Sequence, residues 1–171
     1  MMTPLPAFTA SGKPAEIVAW RIDREKYKTT WDSGEGARLG GGRWNSKGRR
    51  AVYCSLDPAT TILEVAVNRT FKVLDTEPHV LTAVSIKDPA AIKVVKPEDV
   101  PNPNWLVPGT KSVGQQAFGD NLLATHGIIL IPSVVSRSSW NLVFDRDVAT
   151  GRFAQLHQEA FALDPRLHPV H

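Results

Sequence analysis

Six short apolar segments place the strongest constraint on how this chain can fold. Segments of this length and composition are typical of β-strands. They lie at residues 16–22, 51–55, 79–86, 91–95, 127–132 and 140–144. The chain has 171 residues, which fits one domain with a substantial core. Residues 1–14 contain three prolines and two threonines without periodicity, so we expect a flexible N-terminal arm before a single domain at 15–171.

Two further segments carry helix signals. Asp57 is a good N-cap and Pro58 suits the first helical position, so we predict a helix from Pro58 to about Arg69. A second helix is predicted to end before Gly127, which suits the residue that follows a helix. Residues 152–167 fit helical and alternating patterns equally well, so their structure is left open.

Composition limits the cellular setting. The start of the chain has no basic region followed by an apolar stretch, and no segment approaches the roughly 18 apolar residues of a membrane span. The one cysteine cannot form an internal disulfide. We therefore expect a soluble, cytoplasmic protein without membrane contact. The net charge of +3 favours the approach of an anionic ligand but is small for a nucleic-acid-binding surface.

Several familiar kinds of active site lack their residues here. No two of the five histidines lie four residues apart as in an H-E-x-x-H helix, and Cys54 has no partner cysteine, so no metal site is expected. The chain contains no G-x-S-x-G nucleophile elbow. Its glycines at residues 34–48 match neither a P-loop nor a Rossmann turn.

The cationic, glycine-rich run at residues 36–55 is the most distinctive local feature. It holds five glycines and four arginines immediately before a predicted strand. Gly40 to Gly42 permit close approach of the backbone, and Arg43, Asn45 and Ser46 add donors that suit a pyrophosphate or a ribose. The alternative is a hairpin loop whose arginines are simply solvated.

Three side chains stand apart from the apolar positions around them. Strand alternation sends Arg21 to the face opposite Trp20, and Tyr53 to the face opposite Cys54, so both are candidates for a cleft. Glu64 falls on the polar side of the first predicted helix. Each of these side chains also has an ordinary alternative as a surface charge or a packing residue.

Four motifs in order along the chain resemble the RES-domain proteins, the toxins of bacterial toxin–antitoxin pairs that are usually encoded beside an Xre-type repressor. The motifs are WRI, GGRWNSKGRRAVYCSLDPATTILEV, GIILIPSVVSRSSWNLVF and FALDPRL, and the resemblance covers residues 15–167. The family is similar in fold to diphtheria-toxin-type ADP-ribosyltransferases. The resemblance therefore implies an α+β fold, with a mixed, split β-sheet and flanking helices.

The resemblance also implies an activity. Family members consume NAD or transfer its ADP-ribose to a protein, so NAD is the expected substrate and no metal is needed. The catalytic residues carried over are Arg43, Tyr53 and Glu64. The expected NAD-binding residues are Arg21, Asn45, Ser46, Ser133 and Asn141. Where many relatives have an N-P-x-H segment after this asparagine, the chain has NLVFDRDVATG, a departure at the edge of the site.

The residue types suit that chemistry. Cleavage of the nicotinamide–ribose bond develops positive charge on the ribose, which a carboxylate such as Glu64 stabilises. An aromatic ring such as Tyr53 can stack on the nicotinamide. Arg43 and Arg21 would bind the pyrophosphate and ribose, with a hydrogen bond from Ser133.

Partners and alternatives follow from the same resemblance. An Xre-type antitoxin is expected to cover the cleft, and any contact with DNA is expected to be made through that antitoxin. The acceptor of ADP-ribose is left open between water, phosphate and a protein, as is a homodimer or a larger toxin–antitoxin assembly. The alternatives are an RNA-binding or RNA-cleaving toxin that uses residues 46–50 with Trp44, and a catalytically inactive partner-binding module. The absence of histidine from residues 1–71 disfavours RNA cleavage.

Overall fold

The computed structural model of the protein describes residues 9–10, 13–14, 16–107 and 111–167. The arm predicted at 1–14 therefore lies mostly outside the described residues. Its described part forms two short antiparallel strands, β1 (Thr9–Ala10) and β2 (Lys13–Pro14). The division into an arm and a single domain stays a prediction.

Seven strands form the main sheet. They are β3 (Ile17–Arg24), β4 (Ala51–Ser55), β5 (His79–Ile86), β6 (Lys93–Val94), β7 (Ile128–Pro132), β8 (Trp140–Asp145) and β9 (Phe153–Phe161). Their order across the sheet is β6-β7-β8-β4-β3-β5-β9, with β6 and β7 parallel and the other neighbours antiparallel. The sheet is thus mixed, all six predicted segments contribute strands, and the alternating pattern within residues 152–167 proves to be β9.

The sheet is flanked by helices α1 (Glu35–Gly40), α2 (Pro58–Thr76) and α3 (Val113–His126). The Asp57 carboxylate accepts a 2.7 Å hydrogen bond from the Thr60 amide, which confirms the predicted N-cap. The predicted end near Arg69 falls beside Thr70, whose φ of 72° interrupts α2 before it resumes. Gly127 follows α3 as predicted. The α+β class predicted for the chain is confirmed.

Both long helices pack on the same face of the sheet, which we call the helix face. Its apolar residues form two separate clusters, one beneath α3 with Ile129 and Val143, the other beneath α2 with Ile22 and Leu81. The opposite face carries a single larger cluster that includes Phe144. The helix face is therefore divided between two cores, and polar side chains occupy the strands between them.

The sheet is almost split at the junction of β3 and β4. These two strands pair through a single position, where Trp20 lies opposite Ser55. Beyond that point the Arg21 guanidinium donates a 2.9 Å hydrogen bond to the Tyr53 carbonyl. A side chain thus replaces the missing backbone partner of a strand.

None of the helices in the described part of the chain has the length and apolar character needed to span a membrane.

Candidate functional site

The carboxylate of Glu64 on α2 is the centre of the candidate site. Its Oε1 accepts a 2.7 Å hydrogen bond from the Ser133 hydroxyl and a 2.5 Å hydrogen bond from the Asn141 amide nitrogen. Ser133 follows β7 directly and Asn141 lies in β8. The fold thus brings together three of the predicted site residues, which lie up to 77 positions apart in the sequence.

Neighbouring groups determine the direction of both hydrogen bonds. The Ser136 backbone amide donates to the Ser133 Oγ at 3.0 Å, so the Ser133 hydrogen is free to point toward Glu64. The Ser55 hydroxyl donates to the Asn141 Oδ1 at 2.8 Å, which leaves the Asn141 nitrogen to face Glu64. Glu64 is therefore held as an acceptor from two sides.

The second carboxylate oxygen of Glu64 remains available. Both donors, Ser133 and Asn141, bond to Oε1. Within the described ranges, no side chain or backbone amide donates to Oε2. Glu64 is half-buried, whereas Ser133 is fully buried. The carboxylate is thus fixed through Oε1, and no donor from the described residues occupies Oε2.

Tyr53 anchors the glycine-rich loop to the helix face of β4. Its hydroxyl donates a 2.7 Å hydrogen bond to the Asn45 Oδ1 and accepts a 3.1 Å hydrogen bond from the Trp44 amide. Burial raises the pKa of the Tyr53 phenol above its usual range, so the hydroxyl remains a donor. Asn45 is fully buried and its nitrogen donates to the carbonyls of Ala37 and Ser46. Asn45 therefore organises the loop from inside.

Gly42 and Arg43 bring the loop close to the tyrosine. A Cβ at Gly42 would lie 2.2 Å from the Tyr53 hydroxyl oxygen, so only glycine fits there. Arg43 is half-buried and donates a 3.0 Å hydrogen bond to the Trp105 carbonyl. Among the residues that the structure describes, no carboxylate lies within ion-pair distance of Arg43. Its positive charge beside Tyr53 is uncompensated.

The other arginines of the basic run are paired with carboxylates. Arg49 bridges Asp120 at 2.8 Å and Asp145 at 2.5 Å, and Arg50 lies 3.2 Å from Glu35. The Ser46 hydroxyl also bonds to Asp120. Most of the positive charge that we expected to face an anionic ligand is therefore neutralised within the protein.

Arg21 lies on the face opposite Tyr53, which corrects the expectation that both face one cleft. Its neighbours Trp20 and Ile22 pack beneath α2, so Arg21 points to the other side of the sheet. The guanidinium makes 2.7 and 2.6 Å hydrogen bonds to the Asp23 carboxylate besides the one to the Tyr53 carbonyl. Burial opposes its charge, yet the carboxylate of Asp23 raises the pKa of Arg21 above its usual value.

Two surface cavities, of about 300 Å³ and about 380 Å³, lie near Leu163 and near Arg49 respectively, and neither is lined by Glu64 or Tyr53. In the described part of the chain, no group of three or more His, Cys, Asp or Glu side chains is placed to hold a metal ion. The geometry around Glu64 rests on hydrogen bonds from protein groups.

One residue of the site carried no sequence signal of its own. Ser55 was not among the predicted site residues, yet its hydroxyl bonds to Asn141. Its position directly opposite Asn141 follows from the register of β4 and β8. A motif comparison that included cross-strand partners could have found it.

Comparison with known proteins agrees with this fold and these motifs. The RES domain family matches residues 18–164. A protein named Toxin Res from Photorhabdus laumondii is 27% identical over 130 residues, which cover 75% of this chain and 81% of that protein. Toxin Res from Yersinia enterocolitica is 26% identical over 154 residues, which cover 88% and 99%.

A solved structure has a similar fold. A chain from the crystal structure of the M. tuberculosis MbcT–MbcA toxin–antitoxin complex superposes with a TM-score of 0.70 at 20% identity, covering 86% of this chain and 85% of that chain. The resemblance to toxin proteins predicted from the four motifs is confirmed. Because the family match spans most of the sequence, the chain belongs to the RES domain family.

Proposed function

We propose that this protein is the toxin of a toxin–antitoxin pair, and that it consumes NAD by cleaving the bond between nicotinamide and ribose. The observation that carries the proposal is the carboxylate of Glu64, held by Ser133 and Asn141 with one oxygen open. A fixed anion is what a reaction with developing positive charge requires. The expected consequence of NAD loss is arrest of growth.

The proposed reaction breaks the C–N glycosidic bond. Nicotinamide leaves with the bonding electron pair, and positive charge develops on the ribose, as in glycoside cleavage. Glu64 stabilises this charge through Oε2 and accepts hydrogen bonds from the ribose hydroxyls. Because Oε1 is already held by two donors, the carboxylate needs little reorganisation when the charge appears.

Tyr53 and Arg43 supply binding for the nicotinamide and the pyrophosphate of the substrate. The half-buried ring of Tyr53 is fixed by its hydroxyl and can stack on nicotinamide, an interaction worth about 0.5–2 kcal/mol for a charged ring. Arg43 has no carboxylate partner among the described residues and suits a pyrophosphate. In this proposal Arg21, Asn45 and Ser46 support the scaffold around the ligand.

An acceptor must take the ADP-ribose. Attack on the ribose by water, by inorganic phosphate or by a protein side chain corresponds to glycohydrolase, phosphorylase or ADP-ribosyltransferase activity. We propose that an Xre-type antitoxin covers this face when the toxin is silent, and the toxin–antitoxin complex that contains the similar fold supports such a partner.

An RNA-directed toxin has less support. Arg49 and Arg50, two of the three cations that would form its basic surface, are paired with carboxylates. Nucleic-acid affinity depends on free cations that can replace counterions on phosphates. A catalytically inactive module predicts that neither NAD nor RNA is consumed.

Release of nicotinamide from NAD by the purified protein tests the proposal. Glu64→Gln keeps the size of the side chain and removes its charge, so we expect at least about a 100-fold loss of rate. Glu98→Gln, at an exposed carboxylate, is the control and should retain the native rate. No nicotinamide release by the native protein would overturn the activity. A Glu64→Gln variant with native turnover would overturn the site, and a mass spectrum of the adenine-containing product identifies the acceptor.

A further inference from the structure

We propose that Ser55 is a positioning residue that acts on Glu64 through Asn141. The inference rests on the proposed function, because the consequence of positioning Glu64 is a faster reaction. Ser55 belongs to none of the residues carried over from the family motifs. Its role follows from the contacts on the helix face of the sheet.

Sheet register places Ser55 and Asn141 together. They lie directly opposite each other on β4 and β8, so their side chains point to the same face. The Ser55 hydroxyl donates to the Asn141 Oδ1 at 2.8 Å. Ser55 is only 3% exposed, so solvent has little access to this bond.

The hydrogen bond controls how the Asn141 amide meets Glu64. An amide has a donor end and an acceptor end, and only the nitrogen can donate to a carboxylate. Ser55 holds the oxygen end, so the nitrogen stays 2.5 Å from Glu64 Oε1. Without that hydroxyl, the far end of the amide loses its partner and the side chain can rotate away from Glu64.

Loss of the Ser55 hydrogen bond is expected to affect the transition state more than the binding of the substrate. Ser133 alone would then hold Oε1, and the carboxylate plane could turn about that single hydrogen bond. Catalysis depends on placement of groups to a fraction of an ångström, whereas binding of the distant parts of a substrate does not. The rate constant kcat should therefore fall while KM changes little.

Kinetics of three variants test the inference. We expect Ser55→Ala to lower kcat for nicotinamide release about 10-fold with KM within about 2-fold. Ser55→Thr keeps a hydroxyl and should recover most of the native kcat. Ser85→Ala removes a hydroxyl of the same kind from the same face of β5, where it bonds to Glu16, and should leave kcat unchanged. A native kcat in Ser55→Ala overturns the inference, as do equal losses in Ser55→Ala and Ser85→Ala.

A spectroscopic measurement separates this inference from the proposed activity. In amide NMR spectra, the Asn141 side-chain resonances should shift in Ser55→Ala, remain close to native in Ser55→Thr, and stay unchanged in Ser85→Ala. If the native protein releases no nicotinamide, the proposed function fails, yet the shift still reports whether Ser55 positions Asn141. If Asn141 resonances are unchanged in Ser55→Ala, the positioning role fails whatever the activity.

Discussion

The hydroxyl of Tyr53 lies 2.7 Å from the Asn45 carboxamide oxygen and 3.1 Å from the Trp44 amide nitrogen, and so joins β4 to the glycine-rich loop. One hydroxyl thereby satisfies two groups of a loop whose Trp44 and Asn45 are buried. The tyrosine that we propose stacks on nicotinamide is also the anchor of the loop that carries Arg43. The position of the proposed cation thus depends on the proposed stacking residue.

Removal of that hydroxyl should destabilise the fold. Tyr53→Phe leaves the Trp44 amide and the Asn45 oxygen without this partner, and we expect a loss of about 1–3 kcal/mol in the free energy of unfolding. Urea denaturation measures it. Tyr27→Phe, at a residue that is 46% exposed, is the control and should change stability by less than about 0.5 kcal/mol. Equal stability of the two variants would contradict the anchoring role.

Substitution by alanine should have different effects at two glycines of the loop. A Cβ at Gly42 would lie 2.5 Å from the Asn45 Oδ1, as well as against the Tyr53 hydroxyl, and both atoms are fixed by hydrogen bonds. We expect Gly42→Ala to lose about 1–3 kcal/mol of stability and to reduce nicotinamide release. A Cβ at Gly40 meets nothing within 4 Å, so Gly40→Ala should keep both properties. Thermal unfolding measures the stability of the two variants, and the nicotinamide assay measures their activity. Equal stability and equal activity of Gly42→Ala and Gly40→Ala would contradict the close contact at Gly42.

The docking of α3 gives a second matched pair. A Cβ at Gly119 would lie 2.1 Å from the Trp44 carbonyl oxygen, a backbone atom that cannot move without shifting the loop. Gly119→Ala should therefore lower the free energy of unfolding by at least about 2 kcal/mol. At exposed Gly114 the nearest atom is 3.9 Å away, and alanine should stabilise the helix by up to about 1 kcal/mol. Urea denaturation should therefore show a lower free energy of unfolding for Gly119→Ala and a higher one for Gly114→Ala. A Gly119→Ala variant with native stability would contradict the close packing.

Loss of the Arg21 guanidinium should weaken the junction of β3 and β4. Arg21→Met removes the donor to the Tyr53 carbonyl and leaves the buried Asp23 carboxylate unpaired, so we expect a loss of about 2–4 kcal/mol in the free energy of unfolding. Arg166→Met breaks an exposed ion pair with Asp164 and should have no measurable effect. If Arg21→Met instead raised KM for NAD without loss of stability, Arg21 would be a ligand contact and not a support of the sheet.

Alkaline pH should destabilise the protein through Cys54. Burial raises the pKa of its thiol from 9.0 to about 12. The unfolded chain therefore loses this proton first as the pH rises above 9, which favours unfolding by up to about 1.4 kcal/mol for each pH unit until the folded thiol ionises. Tyr53, whose pKa is also raised, acts in the same direction.

Substitution of the cysteine isolates its share of this effect. Urea denaturation at about pH 8 and about pH 10.5 should show a smaller loss of stability in Cys54→Ala than in the native protein. The substitution itself is expected to cost some stability at both pH values, so only the difference between them is compared. An equal loss in the two proteins would mean that Cys54 does not contribute.

Local signals in the sequence were sufficient for most secondary structure. The N-cap Asp57 and the glycine at 127 predicted one end of each long helix, because capping depends on residues within a few positions. The segment that contains β9 was ambiguous, since its residues fit both periodicities. Pairing with β5 along its length decides that it is a strand.

Alternation along a strand predicts which side chains share a face, but not which faces of two strands coincide. Arg21 and Tyr53 were each correctly placed opposite their apolar neighbours. They were nevertheless expected in one cleft. The register of Trp20 opposite Ser55 puts Tyr53 on the helix face and Arg21 on the other. That register is a tertiary property, because it depends on how β3 and β4 meet.

The sequence by itself determined the family, the elements and the residue types available for chemistry. Only the tertiary structure decided that Ser55, Asn141 and Ser133 converge on Glu64, and that Asn45 and Ser46 bond within the protein. The physical reason is distance along the chain. Hydrogen bonds between residues far apart in sequence depend on sheet register and helix packing, which local patterns of polarity do not encode.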